Sequence, residues 1–312
     1  MSLDRVTGVL LMAYGTPEKP EDVAPYYTHI RHGHPPTAHL LAELQSRYAL
    51  VGGHTPLTAI TEATRQGLQE VLDRTEYRRY RVIVGMKHWR PWIHEAVAEM
   101  AAEGIDHAVG LVLAPHYSSF SIAQYYGYVE QAQEKTGTSI RIDRIDSWHL
   151  HPRYLAAIAR RVRTRLAEFP EGDEVTVIFT AHSLPEKIVA EGDLYPEQLR
   201  ETSETLAEML DLPHWTFSYQ SAGRTTDRWL GPDLVDTVHR LVGEGVMNIL
   251  VATIGFVSDH LEILYDIDCE AKAAADDCGV AFKRTESLNA SPDFLETLAD
   301  LVRDRVMESM TP

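Results

Sequence analysis

The sequence predicts an α/β protein made of two similar domains, each with a parallel β-sheet flanked by helices. Short runs of valine, isoleucine and leucine alternate with helical patterns along the whole chain, which is typical of parallel sheets covered on both faces. Pairs of segments in the two halves also resemble each other in the same order. The length of 312 residues accommodates two domains of ordinary size.

Eight apolar runs have the length and composition of buried strands. They are residues 6–13, 81–86, 108–114, 139–145, 175–181, 215–220, 246–254 and 280–284. Helical patterns lie between them, at residues 37–50, 57–74, 91–103, 119–135, 152–168, 196–210, 232–243, 258–275 and 291–309. Because helices separate the strands, we expect right-handed crossovers and parallel pairing.

An internal repeat supports the division into two domains. The segment "LLMAYGTPEK" (10–19) aligns without a gap with "IFTAHSLPEK" (178–187), so Tyr14 and His182 occupy equivalent positions. Two further pairs occur in the same order: "LVLAPHYSSFS" with "LVATIGFVSDH", and "KHWRPWIHEAV" with "DRWLGPDLVDTV". Repeated segments in constant order indicate two copies of one folding unit.

We therefore expect one domain over residues 1–146 and a second over residues 147–312, joined near "DSWHLHP". The final helix, residues 291–309, could pack back on the first domain, and the sequence does not decide this.

Composition narrows the classes of function. The formal net charge of −17 disfavours nucleic acid as a partner. No apolar run has the length of a membrane span and the start lacks a secretory pattern, so we expect a cytoplasmic protein. Cys269 and Cys278 are too few for a disulfide framework or an all-cysteine iron–sulfur site. The chain has neither GxGxxG nor GxxxxGK[ST], so a nucleotide is not the expected ligand.

Several residues that could contribute to a ligand site lie at the ends of the predicted strands. Tyr14, His116, His182, Gln220 and Gly255 all lie at strand ends. In open parallel sheets ligands bind beyond the carboxyl ends of the strands, and clefts between domains are favoured sites. We therefore expect the strand ends of both domains to line one ligand cleft.

The second half holds candidate metal ligands. His182 suits a general base or a metal ligand, and the alternative is a histidine that only caps a turn. Glu262, Asp266 and Glu270 are spaced four apart on a predicted helix, which places them on one face. They form either a solvated acidic face or a row of oxygen ligands leading a divalent cation toward His182. Oxygen and imidazole ligands suit Mg²⁺, Mn²⁺, Fe²⁺ or Zn²⁺ rather than Cu(I).

The first half holds candidate ligand-binding residues. Arg31 and Arg47 can bind carboxylates through two parallel hydrogen bonds. Aromatic residues such as Phe120 and Tyr125 can form flat walls against a flat apolar ligand, and their alternative role is core packing.

Five long motifs give the sequence a recognisable family character. In order they are "MAYGTPEKPEDVAPYYTHIRHG", "LVLAPHYSSFS", "TAHSLPEK", "DRWLGPD" and "IGFVSDHLEILYD". Together they resemble the ferrochelatases, above all the Gram-positive type that acts on coproporphyrin III, over essentially the whole chain. The resemblance implies the chelatase fold, in which two Rossmann-like domains enclose a porphyrin cleft.

The resemblance also implies roles for individual residues. His182 and Glu262 match the metal-insertion pair, which would bind the entering Fe²⁺, and Asp266 and Glu270 match an outer cation site, for which Mg²⁺ is a candidate. Tyr14 matches a tyrosine facing the metal from the other side of the ring, where it could be axial to the product iron. The implied porphyrin-binding residues are Tyr14, Arg31, Arg47, Tyr48, Thr55 and Tyr125. His32 and His34 replace arginines of the related "HIRRGR" pattern, so fewer propionate contacts are expected there.

The implied activity is insertion of Fe²⁺ into coproporphyrin III, with release of two protons, in haem biosynthesis. Porphyrin and Fe²⁺ are the expected small-molecule partners of a monomer that contacts other haem-biosynthesis enzymes only transiently, without an iron–sulfur cluster. The alternatives are a protoporphyrin IX ferrochelatase, a cobalt or nickel chelatase acting on sirohydrochlorin, and a non-catalytic haem-binding protein. The sequence leaves open whether His182 or Glu262 accepts the proton.

Overall fold

Within residues 6–74 and 78–310, eight strands form two separate sheets of four parallel strands each, with helices between the strands. This architecture comes from a computed structural model that describes residues 6–74 and 78–310; the outermost residues of the two expected domains lie outside these ranges. The predicted α/β class with parallel sheets flanked by helices is confirmed. In the part of the chain that is described, no helix is long and apolar enough to cross a membrane.

The strands agree with the sequence prediction to about two residues at each end. They are β1 (Val6–Ala13), β2 (Arg79–Met86), β3 (His107–Val112), β4 (Arg141–Ile145), β5 (Thr176–His182), β6 (Trp215–Gln220), β7 (Asn248–Thr253) and β8 (Ala281–Arg284). These runs were recognisable because both faces of a central parallel strand are buried, which selects continuous apolar sequence.

The helices also follow the prediction, with some differences. They are α1 (Val23–Ile30), α2 (Ala38–Leu50), α3 (Leu57–Asp73), α4 (Ile93–Ala102), α5 (Ile122–Thr136), α6 (Pro152–Leu166), α7 (Lys187–Ala190), α8 (Tyr195–Met209), α9 (Leu234–Gly243), α10 (Leu261–Leu264), α11 (Lys272–Asp277) and α12 (Pro292–Glu308). The short helices α1 and α7 were not predicted. Each buries only one or two side chains, too few to produce a helical hydrophobic pattern.

The prediction of one continuous helix over residues 258–275 is wrong. The structure divides this segment into α10, a π-helix (Asp266–Ala271) and α11. The amide of Glu270 donates to the carbonyl of Tyr265 at 2.9 Å, five residues earlier, which is the spacing of a π-helix. Hydrophobic spacing cannot distinguish this wider turn from an α-helix, because every fourth residue of the segment is still buried.

The internal repeat extends to the order of the strands and to their loops. The sheets have the orders β2-β1-β3-β4 and β6-β5-β7-β8, so β1 and β5 occupy equivalent interior places. The amide of Met86, the last residue of β2, donates to the carbonyl of Pro91 in the following loop at 2.6 Å. The amide of Tyr219 in β6 donates to Pro232 at 2.8 Å in the equivalent way. The two halves therefore share topology and loop architecture.

Contacts group the described residues into two units. The first contains residues up to 115, residues 121–148 and the segment from residue 289; the second contains residues 116–120 and 149–288. Helix α12 thus belongs to the first unit, where it packs against α3, β3 and β4. The boundary between residues 146 and 147 that the sequence suggests stays a prediction.

Each unit has an apolar core centred on its sheet. In the first unit residues 9–12 of β1 are fully buried, and Tyr126 of α5 packs beneath β3. In the second unit β5 and β7 pack against α9 and against one side of the α10–π–α11 segment. The buried row on that segment consists of Ile263, Ile267, Ala271 and Ala275. This row fixes which side of the segment turns away from the core.

Tyr126→Phe should destabilise the first unit. The Tyr126 hydroxyl contacts the carbonyl of Gly110 at 2.7 Å and the amide of Ile145 at 3.1 Å, and it is buried. Removing it loses two buried hydrogen bonds to the main chain of β3 and β4, which should lower the free energy of unfolding by about 1–3 kcal/mol. Urea unfolding monitored by circular dichroism measures the change.

Tyr128→Phe, at a half-buried position of the same helix, is the matched control. The control should unfold like the wild type. Identical midpoints for the two variants would contradict the assigned role of the Tyr126 hydroxyl.

Candidate functional site

His182 is the last residue of β5 and pairs in register with Gln220, the last residue of β6. Its Nδ1–H donates to the main-chain oxygen of Ser183, the next residue. This hydrogen bond fixes the ring orientation and directs Nε2 away from the main chain. The side chain keeps 30% of its surface exposed.

Glu262, on α10, lies between two imidazoles. Its Oε1 is 3.5 Å from Nε2 of His182, and its Oε2 is 3.5 Å from Nε2 of His260. The His260 ring is held by a 2.9 Å hydrogen bond from Nδ1–H to the carbonyl of Ser258. The structure thus brings together the predicted pair His182 and Glu262, and it adds His260 to them.

The charges of the pair are strongly coupled. Burial by itself lowers the pKa of His182, but the charge and hydrogen bond of Glu262, assisted by the Ser183 carbonyl and Asp266, outweigh burial and raise that pKa. Burial alone would raise the pKa of Glu262, but His182 and His260 outweigh it and lower that pKa. Each side chain therefore favours the charged form of the other.

The other two carboxylates of the predicted row occupy the π-helix. Asp266 is buried and accepts a hydrogen bond from the Ser221 hydroxyl, whereas Glu270 is exposed. Exposure therefore falls from Glu270 at the surface to Asp266 inside. Within the described ranges, no three His, Cys, Asp or Glu side chains form a group that could hold a metal ion by themselves.

In the first unit, Tyr14 follows β1 and is 42% exposed. Its ring centroid lies 4.5 Å from that of His88. The Nζ of Lys87 lies 5.9 Å from the Tyr14 ring and 5.3 Å from the Tyr125 ring, and it donates to Gln124 at 2.6 Å. Tyr14 and Tyr125 are thus connected through one buried ammonium group.

Burial lowers the pKa values of Lys87 and His88, the two residues that lie against the Tyr14 ring. It lowers the pKa of Lys87 to about 8. Burial, followed by the charge of Lys87, lowers the pKa of His88 to about 2, so His88 is neutral. The Nδ1 atoms of His88 and His29 lie 3.0 Å apart.

The remaining predicted porphyrin-binding residues fall into two groups. Tyr48 and Thr55 are buried, and both hydroxyls contact the hydroxyl of Thr16, at 3.2 and 3.0 Å. The guanidinium of Arg31 lies 5.8 Å from the Tyr27 ring, and its Nε has no hydrogen-bond partner among the described residues. Arg47 forms an ion pair with Glu43 at 3.4 Å. Porphyrin contact stays a prediction for all of them.

Sequence reasoning missed several neighbours of the pair. His260 lies inside the motif "IGFVSDHLEILYD", two residues before Glu262. That proximity in the sequence could have identified it as a neighbour of the pair. The rings of Phe256 and Trp229 lie 6.1 and 6.3 Å from that of His182. A Cβ at Gly255 would approach Cα of Ala181 to 2.9 Å, so only glycine allows the chain after β7 to pass this close to β5.

Comparison with known proteins identifies the family. The family model described as Ferrochelatase matches residues 6–306. The chain belongs to the ferrochelatase family. This is a family of lyases that insert metal into porphyrin, with Fe²⁺ as a substrate.

Two curated relatives match nearly the full chain. A ferrochelatase of Herpetosiphon aurantiacus is 46% identical and covers 95% of this chain and 98% of its own. A coproporphyrin III ferrochelatase of Listeria innocua is 41% identical and covers 97% of this chain and 99% of its own.

Solved structures share the fold at low identity. The sirohydrochlorin chelatase SirB from Bacillus subtilis subspecies spizizenii, with cobalt, has a TM-score of 0.59 at 10% identity and covers 98% of both chains. CbiX, described as the terminal enzyme of siroheme biosynthesis in denitrifying bacteria, has a TM-score of 0.58 at 13% identity, covering 98% of this chain and 100% of its own. These likenesses support the chelatase fold.

Glu262→Gln should lower the pKa of His182 because it removes the charge that opposes burial. With a neutral partner, burial becomes the dominant influence and the pKa should fall below the usual value of about 6.5. NMR titration of the His182 ring measures the shift.

Asp266→Asn is the control for this titration, because Asp266 contributes least of the groups that raise this pKa. It should lower the pKa of His182 by a smaller amount. Equal pKa values in the wild type and Glu262→Gln would show that the two side chains are not coupled.

Proposed function

We propose that this protein inserts Fe²⁺ into coproporphyrin III, forming Fe-coproporphyrin and releasing the two pyrrole protons. The observation that carries the proposal is the His182–Glu262 pair, 3.5 Å apart at the end of β5 and partly exposed, in a member of the ferrochelatase family. Two named coproporphyrin III ferrochelatases, from Listeria innocua and Halalkalibacterium halodurans, are each 41% identical to this chain and support that substrate.

The two side chains of the pair can take separate roles, one binding a cation and the other accepting a proton. A carboxylate whose pKa is lowered stays ionised and suits the incoming Fe²⁺. As Fe²⁺ approaches Glu262, it repels the proton of the neighbouring imidazolium, which leaves to water through the exposed edge of the ring. With the Glu262 carboxylate engaged by the cation, the neutral imidazole of His182 is the free base of the pair.

We therefore assign proton acceptance to His182 and Fe²⁺ binding to Glu262. His182 takes one pyrrole proton at a time and passes it to water, so two transfers accompany entry of one Fe²⁺. Charge balances, because the porphyrin dianion that remains neutralises the metal. His260 holds the second oxygen of Glu262 and so limits rotation of the carboxylate.

The porphyrin is proposed to contact Tyr14, Tyr48, Thr55, Tyr125 and the two arginines Arg31 and Arg47. Guanidinium groups pair with propionates through parallel hydrogen bonds, and coproporphyrin carries more propionates than protoporphyrin. Contacts at the edge of the ring can hold the macrocycle in a bent form that opens its nitrogens to the metal, a strain of about 1–5 kcal/mol. Tyr14 is proposed as the residue that can be axial to the product iron.

Asp266 and Glu270 are proposed as a weak outer site for a hard cation such as Mg²⁺. Two carboxylates suit such a cation, with water completing its coordination. Asp266 has one oxygen engaged by Ser221, which limits what it can offer. We further propose that the protein has no iron–sulfur cluster. It is proposed to be a monomer of the cytoplasm that contacts other enzymes only transiently.

Substrate preference is tested by anaerobic turnover of Fe²⁺ with coproporphyrin III and protoporphyrin IX in parallel. We expect a kcat/KM at least about tenfold higher for coproporphyrin III, because even one additional charged hydrogen bond to a propionate contributes about 1.5–3 kcal/mol. Sirohydrochlorin with Co²⁺ is the control for the rival chelatase activity and should not turn over. Preference for protoporphyrin IX would contradict the proposed substrate, and haem binding without any turnover would favour a haem-binding protein.

His182→Ala should leave folding and porphyrin binding intact and lower the rate of iron insertion by roughly 10²–10⁴-fold, the usual contribution of a general base. Stopped-flow absorbance measures insertion, and porphyrin fluorescence quenching measures binding. His214→Ala is the matched control, since His214 is exposed and precedes β6 at the opposite end of the sheet. Insertion at the control's rate by His182→Ala would eliminate the assignment.

A further inference from the structure

Gln220 contacts the segments that carry both members of the proposed pair. It is 1% exposed and pairs in register with His182 across the β5–β6 ladder. Its main-chain oxygen accepts from the amide of Ser183 at 2.7 Å, the residue directly after His182. Its side-chain Nε2 donates to the main-chain oxygen of Glu262 at 2.8 Å. One residue therefore connects the end of β5 to α10.

Contacts from the end of β6 supplement the core packing of the segment that carries Glu262. Helix α10 spans only four residues before the π-helix begins, so its own hydrogen bonds restrict it weakly. Ser221, with a φ of 62° that is uncommon outside glycine, directs its hydroxyl to the Asp266 carboxylate. Two consecutive residues at the end of β6 thus hold two successive turns of the acidic segment.

The orientation of the Gln220 amide follows from its partner. The Glu262 carbonyl can only accept, so Nε2 must face it. The Oε1 of Gln220 is buried and has no hydrogen-bond partner among the residues that the structure describes. The bond to the Glu262 carbonyl is the shorter contact of Nε2, which also lies 3.5 Å from the Ser221 hydroxyl oxygen.

We propose that Gln220 is a positioning residue that sets the separation between Nε2 of His182 and the Glu262 carboxylate. The proposal rests on the roles assigned to that pair. Gln220 does not touch the reacting atoms; it holds the main chain from which Glu262 extends. Loss of its donor should let α10 move relative to β5, and misplacement of a reacting group by about 1 Å can cost 10²-fold in rate.

Two variants remove the contact in different ways. Gln220→Met keeps the size of the side chain without a donor, and Gln220→Asn keeps the amide but shortens its reach by one methylene. Both should lower kcat for iron insertion by about tenfold or more while KM for the porphyrin changes by less than roughly twofold, because only positioning for reaction is lost. Thermal unfolding identifies any variant that fails to fold.

Ser218→Ala is the matched control. Ser218 is buried on the same face of β6 and bonds to the carbonyl of Pro232 and to Thr237, not to Glu262. It should lose stability like the Gln220 variants but keep its kcat. If folded Gln220→Met and Gln220→Asn both keep the wild-type kcat, or if Ser218→Ala loses kcat equally, the proposal is overturned.

A double-mutant cycle with Glu262→Gln separates positioning from general damage. If Gln220 acts through Glu262, Gln220→Met should change the residual rate of Glu262→Gln by less than about threefold, well short of its effect in the wild type. Effects that multiply fully would contradict the proposal. Failure of the proposed function is recognised separately, because the wild type itself would then not insert iron.

Discussion

The attraction between the Glu262 carboxylate and the imidazole of His182 is the interaction on which the candidate site depends. Both groups are partly withdrawn from water, and each would be driven toward its neutral form if it were alone. Together, each side chain stabilises the charged form of the other. In the proposed reaction, an arriving Fe²⁺ would replace the imidazolium proton as the partner of the carboxylate. That proposal links proton release and metal binding through this one pair.

The two units use the same framework for different chemistry. Tyr14 follows β1 and His182 ends β5, and these strands hold equivalent places in the two sheets. Beside Tyr14 the neighbours are a buried lysine and a neutral histidine, so the surroundings are cationic or neutral. Beside His182 they are carboxylates. An internal repeat therefore conserves the positions of strand ends while the side chains there set the electrostatics of each unit separately.

The α10–π–α11 segment shows how one stretch of chain serves both the core and the site. Its apolar row, which includes Ile263 and Ile267, packs against β5, β7 and α9. Its acidic row is offset by one residue, so burying the first row turns Glu262 and Asp266 toward the strand ends. Departures from α-helical winding are often found at functional sites. Here the wider turn accompanies the bonds from Gln220 and Ser221.

The sequence by itself determined the eight strands, most of the helices, the internal repeat and the strand-end positions of Tyr14 and His182. These depend on local hydrophobic periodicity and on motif spacing, which are fully present in the chain. The resemblance to the family motifs also predicted Glu262 as the partner of His182.

Only the tertiary structure decided that His260 holds the second carboxylate oxygen, that Gln220 bonds the main chain of Glu262, and that the acidic segment winds as a π-helix. It also placed α12 in the first unit. Each of these depends on sheet register and on which side chains meet across elements distant in sequence. Local pattern carries no information about such meetings, because they are selected by packing and by the need to pair buried polar groups.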